Sequence, residues 1–378
     1  MPIDLGGHAS GLAEAQRQLG HEAEAISLHW SSLGFNGDTC LEPPPGSRHR
    51  LLRRELGRFS LLWRTLRAAD VVHCHFGQTA LSVRAFPLRE ANPSSELGES
   101  LRLAYARLLW LKDLSLWRAT GKTVAMTFYG DDIRSIEASV RSNPYSHLAL
   151  PEIAGPLRRR NEFRSRYLDV VDRNVQLIYA VNPDLLPGLP HRARWLAYSH
   201  CNPSRQLPRP WPGEARPLRL LHMPTNRAVK GTAALIAAVE RLRAEGHALH
   251  LTLVEDRQNA QALAELDSHH VLIDQLRVGW YGGVAVEAMM AGRPVVCYIH
   301  EADLARTPSA FAAELPVMRA NPDTIEGVLR GLLGLSEGRL REMGEQARRF
   351  VETWHDPAQI AASVLDDYAG LARSPGKP

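Results

Sequence analysis

A glycine-rich turn that runs into a helix and then into a strand, at residues 279–294, most constrains the fold of this chain. The helix begins after Gly282 and Gly283, ends at Gly292, and gives way to an apolar strand. The rest of the second half repeats this order, with strands at 218–222, 249–254, 271–276 and 294–299 and helices at 232–244, 259–266 and 283–290. Strand and helix in strict alternation predict a parallel, doubly wound α/β sheet.

The first half has the same organisation. Gly6 and Gly7 precede a helical pattern at 9–19 and an extended stretch at 22–28. Short apolar runs bounded by turns predict buried parallel strands at 70–76, 123–128 and 176–181. A sheet of this kind normally starts with a strand before the glycine turn, but only five residues precede Gly6. Either that strand is very short or the true start lies upstream, and we expect the second.

The chain length and a proline-rich segment predict two domains. At 378 residues the chain exceeds what one hydrophobic core usually supports. Five prolines within 203–217 indicate a linker. We therefore predict an N-terminal domain at 1–202, a C-terminal domain at 218–355, and a final helix and tail at 356–378. Two Rossmann-like domains joined in this way are expected to face each other across a cleft at the carboxyl ends of their sheets.

The composition of the chain limits which binding partners and which cellular compartment we expect. Forty-five basic and 41 acidic side chains give a net charge of only +4, too small an excess to indicate nucleic acid. No apolar run approaches the ~18 residues of a membrane span, and no signal peptide is visible, so we expect a cytoplasmic protein. The four cysteines lack the paired spacings of metal or redox motifs, which predicts reduced thiols and no metal.

Two strongly basic stretches, at 48–67 and 157–166, allow more than one interpretation. Such stretches are most often solvated faces. In the first, however, leucines and aromatic residues interleave with arginines, as in an amphipathic helix at a membrane interface. A helix packed on the sheet with its basic groups outward explains the pattern equally well. Peripheral contact with the inner face of the membrane is therefore a minority hypothesis.

Several polar residues occupy positions suited to binding chemistry. Glycines at a helix start let backbone N–H groups approach an anion, and Glu287 is placed to accept hydrogen bonds from sugar hydroxyls unless it is merely a surface carboxylate. Arg227 and Lys230 offer phosphate ligands, although a solvated loop lysine explains Lys230 equally well from these residues alone. His73 and His75 share one face of a strand, and with no third ligand visible a polar pair is favoured over a metal site.

The run G-x-x-x-x-E-A-M-x-x-G-x-P-V, at 282–295, resembles the donor-binding signature of the retaining GT-B glycosyltransferases of family 4. The resemblance implies that Gly282, Gly283 and Glu287 bind the donor, with Glu287 on the ribose. In that family a second glutamate, eight residues earlier, holds the donor sugar. This chain has Gly279 there, and Asp274 is our candidate for a substitute carboxylate.

Matching segments extend over nearly the whole chain. The family grips the donor diphosphate with an Arg and a Lys after the first strand of its C-terminal domain, which implies catalytic roles for Arg227 and Lys230. The sequence at 128–132 resembles its H-G-x-D element, with Tyr129 in place of histidine and therefore in a catalytic position. The residues at 348–357 resemble its last helices, which cross back to the first domain.

The resemblance also covers the start of the chain. Gly6 and Gly7 match the N-terminal glycine loop, which passes close to the donor phosphates. His75 and Asp132 are further polar candidates for the cleft.

The resemblance implies a function as well as a fold. It implies transfer of a sugar from a nucleotide-sugar co-substrate to an acceptor, with retention and without a metal or other cofactor, plausibly in polysaccharide or glycoconjugate biosynthesis. The acceptor is a saccharide, a lipid-linked saccharide or a small molecule. Two alternatives stay open: a nucleotide-sugar 2-epimerase of the same architecture, and a GT-B-like accessory protein that has lost activity. Gly279 and Tyr129, which depart from the family pattern, favour the last.

Overall fold

The computed structural model describes residues 5–31, 33–35, 37–44, 46–82 and 96–373. The chain forms two compact units. Unit 1 comprises Met1–Ser135, Leu157–Leu196 and Ala358–Pro378, and unit 2 comprises Ile136–Pro156 and Ala197–Pro357. Compared with the predicted domains, residues 136–156 join the second unit. The expected strand before Gly6 falls largely outside the described residues.

The secondary structure is mixed α/β. In the described residues the strands are β1 Ile26–Ser27, β2 Thr39–Cys40, β3 Val71–His75, β4 Thr123–Phe128, β5 Leu177–Ala180, β6 Arg194–Trp195, β7 Leu218–His222, β8 Leu249–Leu253, β9 Val271–Ile273, β10 Val295–Cys297 and β11 Met318–Arg319. The helices are α1 His8–Gln18, α2 Arg50–Ala68, α3 Glu96–Leu109, α4 Lys112–Ala119, α5 Ile136–Ser142, α6 Pro151–Asn174, α7 Arg227–Lys230, α8 Thr232–Ala244, α9 Asn259–Ala264, α10 Gly283–Met290, α11 Glu301–Leu304, α12 Ser309–Glu314, α13 Ile325–Leu333, α14 Glu337–Trp354 and α15 Pro357–Arg373.

Unit 1 is built on a four-stranded parallel sheet in the order β3-β4-β5-β6, and β1 and β2 pair separately. The apolar run at 123–128 forms the centre of this sheet, and Val124, Met126 and Phe128 are fully buried there. Burial on both faces explains why the strand reads as a continuous apolar run rather than as an alternating one.

Unit 2 is built on a five-stranded parallel sheet in the order β11-β10-β9-β7-β8. In chain order this is 5-4-3-1-2, so the first strand, β7, lies between β8 and β9. This is a doubly wound order with its switch point between β7 and β9. Helices α8 and α13 contribute to the apolar core beside the sheet, through side chains such as Leu235 and Leu329.

The predicted elements of the second half agree closely with the structure. Strand 218–222 and helices 232–244 and 283–290 have the predicted bounds. The strand predicted at 271–276 ends at Ile273, because the chain turns there into the loop before α10. In the first half, the extended stretch at 22–28 contains only the two-residue strand β1.

No helix in the described part of the chain is both long enough and apolar enough to cross a membrane.

Candidate functional site

The carboxyl ends of β7 and β9 bring together residues that lie far apart in the sequence. The loop after β7 carries Asn226 and the single turn of α7, which ends at Lys230. Asp274 follows the last residue of β9 directly. Ligands of doubly wound sheets bind outside the carboxyl ends of the strands at the switch point. The topology therefore places this corner of unit 2 where a ligand is expected.

Lys230 and Asp274 form a buried ion pair at this corner. The Lys230 ammonium donates to Asp274 Oδ1 at 2.6 Å, and the backbone N–H of Gly282 donates to Asp274 Oδ2, also at 2.6 Å. Lys230 is only 9% exposed. A Cβ placed on Gly282 would lie 3.4 Å from Lys230 Nζ, so the ammonium lies beside the start of α10. Since protein donors occupy both oxygens of Asp274, its role as a sugar ligand stays a prediction.

Arg227 occupies a different environment from Lys230. The side chain of Asn226 caps α7 by accepting from the N–H groups of Ala228 and Val229, at 3.0 and 3.1 Å. Arg227, at the start of that turn, is exposed and donates from Nε to Glu255 Oε1 at 2.9 Å. Its hydrogen bond and charge lower the pKa of Glu255. The two basic residues of the predicted diphosphate site therefore differ sharply in burial.

The loop before α10 adopts a conformation that strongly favours glycine at 279. Gly279 has φ +90°, in the region that L side chains rarely adopt, and a Cβ there would lie 3.1 Å from His300 Cβ. Asn143 lies on the same side and donates to the carbonyl of Arg277 at 2.9 Å. The glutamate that the family carries at this position would therefore be strained and crowded in this backbone.

Gln275 fixes the same loop from the strand side. Its Nε2 donates to the carbonyl of Trp280 at 2.6 Å, and the Trp280 ring stacks on Phe311. The neighbouring Asp274 holds the N–H of Gly282. Two consecutive side chains after β9 thus hold the glycine-rich turn in one conformation, which preorganises the start of α10.

Glu287 lies one turn into α10 and is largely withdrawn from solvent. Its Oε1 accepts from Asn259 Nδ2 at 2.8 Å. Burial raises the pKa of Glu287 to about 7, against the partial opposition of that hydrogen bond. His200 Nε2 lies 3.9 Å from the same oxygen, and burial lowers the pKa of His200 to about 4. Because His200 is neutral at neutral pH, this approach is a polar contact and not an ion pair.

A pocket of about 260 Å³ opens beside Glu287. Glu287 and Met290 of α10 line one wall, and Leu263 and Leu266 line another. Arg209 adds a basic group at the edge, where it pairs with Asp267 at 2.7 Å. The pocket thus combines apolar walls with a carboxyl group that has one protein donor, a composition typical of small-molecule sites.

Unit 1 holds a second polar cluster, around Tyr129. The Tyr129 hydroxyl lies 2.5 Å from His75 Nδ1, and its ring is 5.1 Å from the ring of His8. Burial holds the pKa of His75 well below its ordinary value, so this imidazole is neutral. His8 directly follows Gly6 and Gly7, which have φ of +70° and +73°. The glycine turn and the segment at 128–132 therefore lie close together in unit 1, around the Tyr129 side chain.

The side chain of Asp132 accepts hydrogen bonds from the backbone beside Tyr129. It accepts from the N–H groups of Tyr129 and Gly130, at 3.0 and 2.7 Å. Burial nevertheless raises the pKa of Asp132 to about 6. Its contacts shape the turn after β4, so Asp132 positions Tyr129.

His73 lies on the same strand face as His75, as predicted from the alternation, with ring centroids 4.4 Å apart. Its ring nitrogens hydrogen-bond the hydroxyls of Tyr368, at 2.6 Å, and Thr127, at 2.7 Å. The first of these bonds ties α15 to the sheet of unit 1. Within the described ranges no group of three His, Cys, Asp or Glu side chains suited to a metal ion occurs.

Sequence reasoning missed four residues that build the site in unit 2. They are Asn143, His200, Asn259 and Gln275. Three lie in segments without a recognisable motif, and a lone Asn or His gives no periodic or spacing signal. Gln275 follows Asp274 directly, so its place at the end of a predicted strand was the one available hint.

Comparisons with known proteins show the fold. Neither a protein-family model nor a curated protein matches this chain. Solved structures do match over nearly the full length. Sucrose-phosphate synthase from Thermosynechococcus elongatus is similar at TM-score 0.57 and 14% identity, covering 96% of this chain and 92% of that one.

Two further solved structures have a similar fold. The catalytic domain of starch synthase IV from Arabidopsis thaliana, bound to ADP and acarbose, is similar at TM-score 0.55 and 10% identity, covering 98% and 96%. A glycosyltransferase from Rickettsia africae is similar at TM-score 0.53 and 13% identity, covering 99% and 97%. The fold is therefore that of GT-B glycosyltransferase structures, mixed α/β with parallel sheets.

Proposed function

We propose that this protein is a glycosyltransferase that moves a sugar from a nucleotide-sugar to a hydroxyl-bearing acceptor. The observation that carries the proposal is the corner of unit 2 at the switch point, where Lys230, Asp274 and the start of α10 converge. This corner combines a buried cation with the start of helix α10, and both features favour a diphosphate. A fold shared with glycosyltransferases supports the proposal.

The nucleoside part of the donor is assigned to Glu287 and its pocket. Among the described residues Asn259 donates to Oε1 of Glu287, which leaves acceptor capacity on this carboxyl group for a pair of ribose hydroxyls. The apolar walls formed by Leu263 and Leu266 suit a base. Gly282 and Gly283 allow the donor to approach the start of α10.

In the proposed reaction an acceptor oxygen forms a bond to the anomeric carbon while the bond from that carbon to the diphosphate breaks. The acceptor proton leaves with a phosphate oxygen or to solvent. Negative charge develops on the departing nucleotide diphosphate, and Lys230 stabilises it electrostatically. Arg227 contributes once it exchanges Glu255 for a phosphate, since its guanidinium is already exposed. The cluster of Tyr129, His75 and Asp132 is assigned to the reacting groups of donor and acceptor, and Gly6 and Gly7 beside it are assigned to the donor phosphates.

Membership of family 4 and retention of the anomeric configuration are parts of the same proposal. They rest on the resemblance of 282–295 to the donor-binding signature. Gly279 departs from that signature, and its backbone conformation would strain the usual glutamate. Contacts to the donor sugar must therefore come from other groups, and Asp274 is available only if it exchanges Lys230 or the Gly282 N–H for a sugar hydroxyl.

The test is a panel of nucleotide-sugars and acceptors. Nucleotide released only when an acceptor is present supports transfer, and proton coupling at the new anomeric centre reports retention. Glu287→Ala and Lys230→Ala are expected to abolish the rise in melting temperature caused by the bound donor, since a ligand stabilises by mass action. Lys122→Ala, directly before β4 in unit 1 and outside every residue assigned to the donor, is the matched control. Donor epimerised at C2, or binding without turnover for every acceptor, would overturn the proposal.

A further inference from the structure

Exposed apolar side chains are concentrated on three consecutive helices of unit 1. Among the described residues, nine of the 13 large hydrophobic side chains that are exposed lie there, five on α2, three on α3 and one on α4. Isolated exposed hydrophobic residues are normal, but a concentration of them marks an interaction surface. We call this surface the α2–α3 face.

On α2 four of the five exposed residues form one stripe, and Leu51 lies outside it. Leu52, Leu56, Phe59 and Trp63 recur at helical spacing, and at about 100° per residue they fall within ~60° of arc. Trp63 is 62% exposed and Leu56 is 61% exposed. The opposite side of the helix, which includes Leu61, is buried in the core of unit 1. The stripe is therefore not the side on which α2 packs.

Helix α3 carries a matching stripe. Leu97, Leu101 and Leu108 are exposed and share one side of the helix. The hydroxyl of Tyr105 on α3 donates to Glu55 of α2 at 2.7 Å, so the two helices are neighbours. Glu55 lies about 70° round α2 from the centre of the α2 stripe, and Tyr105 lies at a similar angle round α3 from the α3 stripe. The contact between the helices therefore does not cover either stripe, and both stripes are exposed to solvent.

The flank of the α2 stripe is basic. Helix α2 contains six arginines and one glutamate. Arg53, Arg64 and Arg67 are exposed and lie about 50–110° round the helix from the centre of the stripe, and Arg64 also pairs with Glu24 at 3.0 Å. Arg67 stacks its guanidinium over the Trp63 ring at 5.3 Å, so the basic and apolar groups are in contact. Apolar side chains beside arginines are the arrangement of helices that lie in a membrane interface.

We propose that the α2–α3 face docks on an anionic lipid bilayer, with α2 and α3 in the plane of the interface. The apolar stripes enter the boundary between headgroups and acyl chains, and the arginines bind lipid phosphates. A second copy of the chain suits the face poorly, because it would bring the exposed Arg53 and Arg67 of two copies close together. This inference is independent of the donor site and of the proposed reaction.

Vesicle flotation of the full chain tests the inference. We expect flotation with vesicles of phosphatidylcholine and phosphatidylglycerol, weakened by added salt, and little with phosphatidylcholine alone. Leu56→Glu/Trp63→Glu should weaken partitioning by at least about tenfold. Val140→Glu, an exposed apolar position of unit 2, is the matched control. All these side chains are exposed, so thermal melting should show folded variants.

A second pair of variants tests the charge. Arg53→Gln/Arg67→Gln should weaken binding to the anionic vesicles, whereas Arg158→Gln/Arg159→Gln, the same charge removal on exposed residues of α6, should not. Absence of flotation with anionic vesicles, or flotation unchanged by Leu56→Glu/Trp63→Glu, overturns the inference. So does a wild-type dimer in light scattering that the same variant converts to a monomer, because the face would then bind a second copy.

Discussion

Lys230 and Asp274 lie 44 residues apart in sequence and form a buried ion pair, with an N–O distance of 2.6 Å, where β7 and β9 run side by side. If either side chain is replaced alone by a neutral one, the charge of the other stays buried without its partner. The pair therefore links the stability of unit 2 to the group that we assign to the departing diphosphate.

A double-mutant cycle should show strong coupling in this pair. We expect Asp274→Ala alone to cost about 3–5 kcal/mol in the free energy of unfolding, because it leaves an uncompensated buried charge. Lys230→Met should have a smaller cost, since the Gly282 N–H still donates to Asp274. The double variant should cost less than the sum of the two. Urea unfolding measures all three, and costs that add to within about 0.5 kcal/mol would contradict the coupling.

Glu287 should make the stability of unit 2 depend on pH. Burial raises its pKa from 4.5 to about 7. As pH rises, the unfolded chain loses this proton before the folded chain does. The stabilising contribution is therefore complete below about pH 4.5 and is lost as pH approaches and passes about 7, by at most ~3 kcal/mol.

Glu287→Gln should remove that dependence, because the amide is neutral at every pH and still accepts from Asn259. The free energy of unfolding, measured by urea titration at pH values from 4 to 8, should fall with pH in the wild type relative to this variant. Glu240→Gln, on the exposed side of α8, is the control and should follow the wild type. An unchanged difference between wild type and Glu287→Gln across this range would show that folding does not raise the pKa of Glu287.

Any side chain at position 279 should lower the free energy of unfolding, and so should the glutamate that the family carries there. A positive φ costs an L residue about 1–2 kcal/mol, and the Cβ would also press on His300 at 3.1 Å. Gly246 has φ +87° with open space around it. Gly246→Ala thus measures the backbone strain alone, and we expect Gly279→Ala to cost more than Gly246→Ala in urea unfolding. Equal costs would mean that His300 moves aside freely.

The sequence was sufficient to predict four of the five strands of the second sheet because their signals are local, whereas the two-residue strand β11 was missed. Strand 218–222 and the helix at 283–290 are defined by apolar runs and flanking glycines, and both have the predicted bounds. The pairing of Lys230 with Asp274 was not predicted, because strand order in a sheet depends on tertiary packing. The resemblance suggested Asp274 as a sugar ligand, whereas its contacts in the structure are to Lys230 and Gly282.

The first half was harder to predict for a physical reason. Its strands β1, β2 and β6 have only two residues each, too short for any periodic signal. The α2 pattern predicted an amphipathic helix but not which side faces solvent. That distinction needs the core contacts of Leu61 and the exposure of Trp63, both properties of the folded unit.

The Tyr129 hydroxyl should contribute to turnover through its position and not through a titration. Tyr129→Phe removes the 2.5 Å contact with His75, and leaving the buried imidazole nitrogen without this partner should cost about 1–3 kcal/mol in the free energy of unfolding. In the donor and acceptor assay we expect a lower kcat. Because burial keeps His75 neutral, the pH profile between pH 6 and 9 should keep its shape.

Tyr167→Phe provides the control for Tyr129→Phe. It deletes another hydroxyl of unit 1, which donates to the Gly77 carbonyl at 2.7 Å inside the core. This variant should lose a similar amount of stability while its kcat stays near the wild-type value, since the Tyr167 hydroxyl belongs to the packed core. If both variants lower kcat equally, Tyr129 acts only through the stability of unit 1. If Tyr129→Phe instead adds a new acidic limb to the pH profile, His75 titrates once the hydroxyl is gone, and the neutral imidazole depends on that contact.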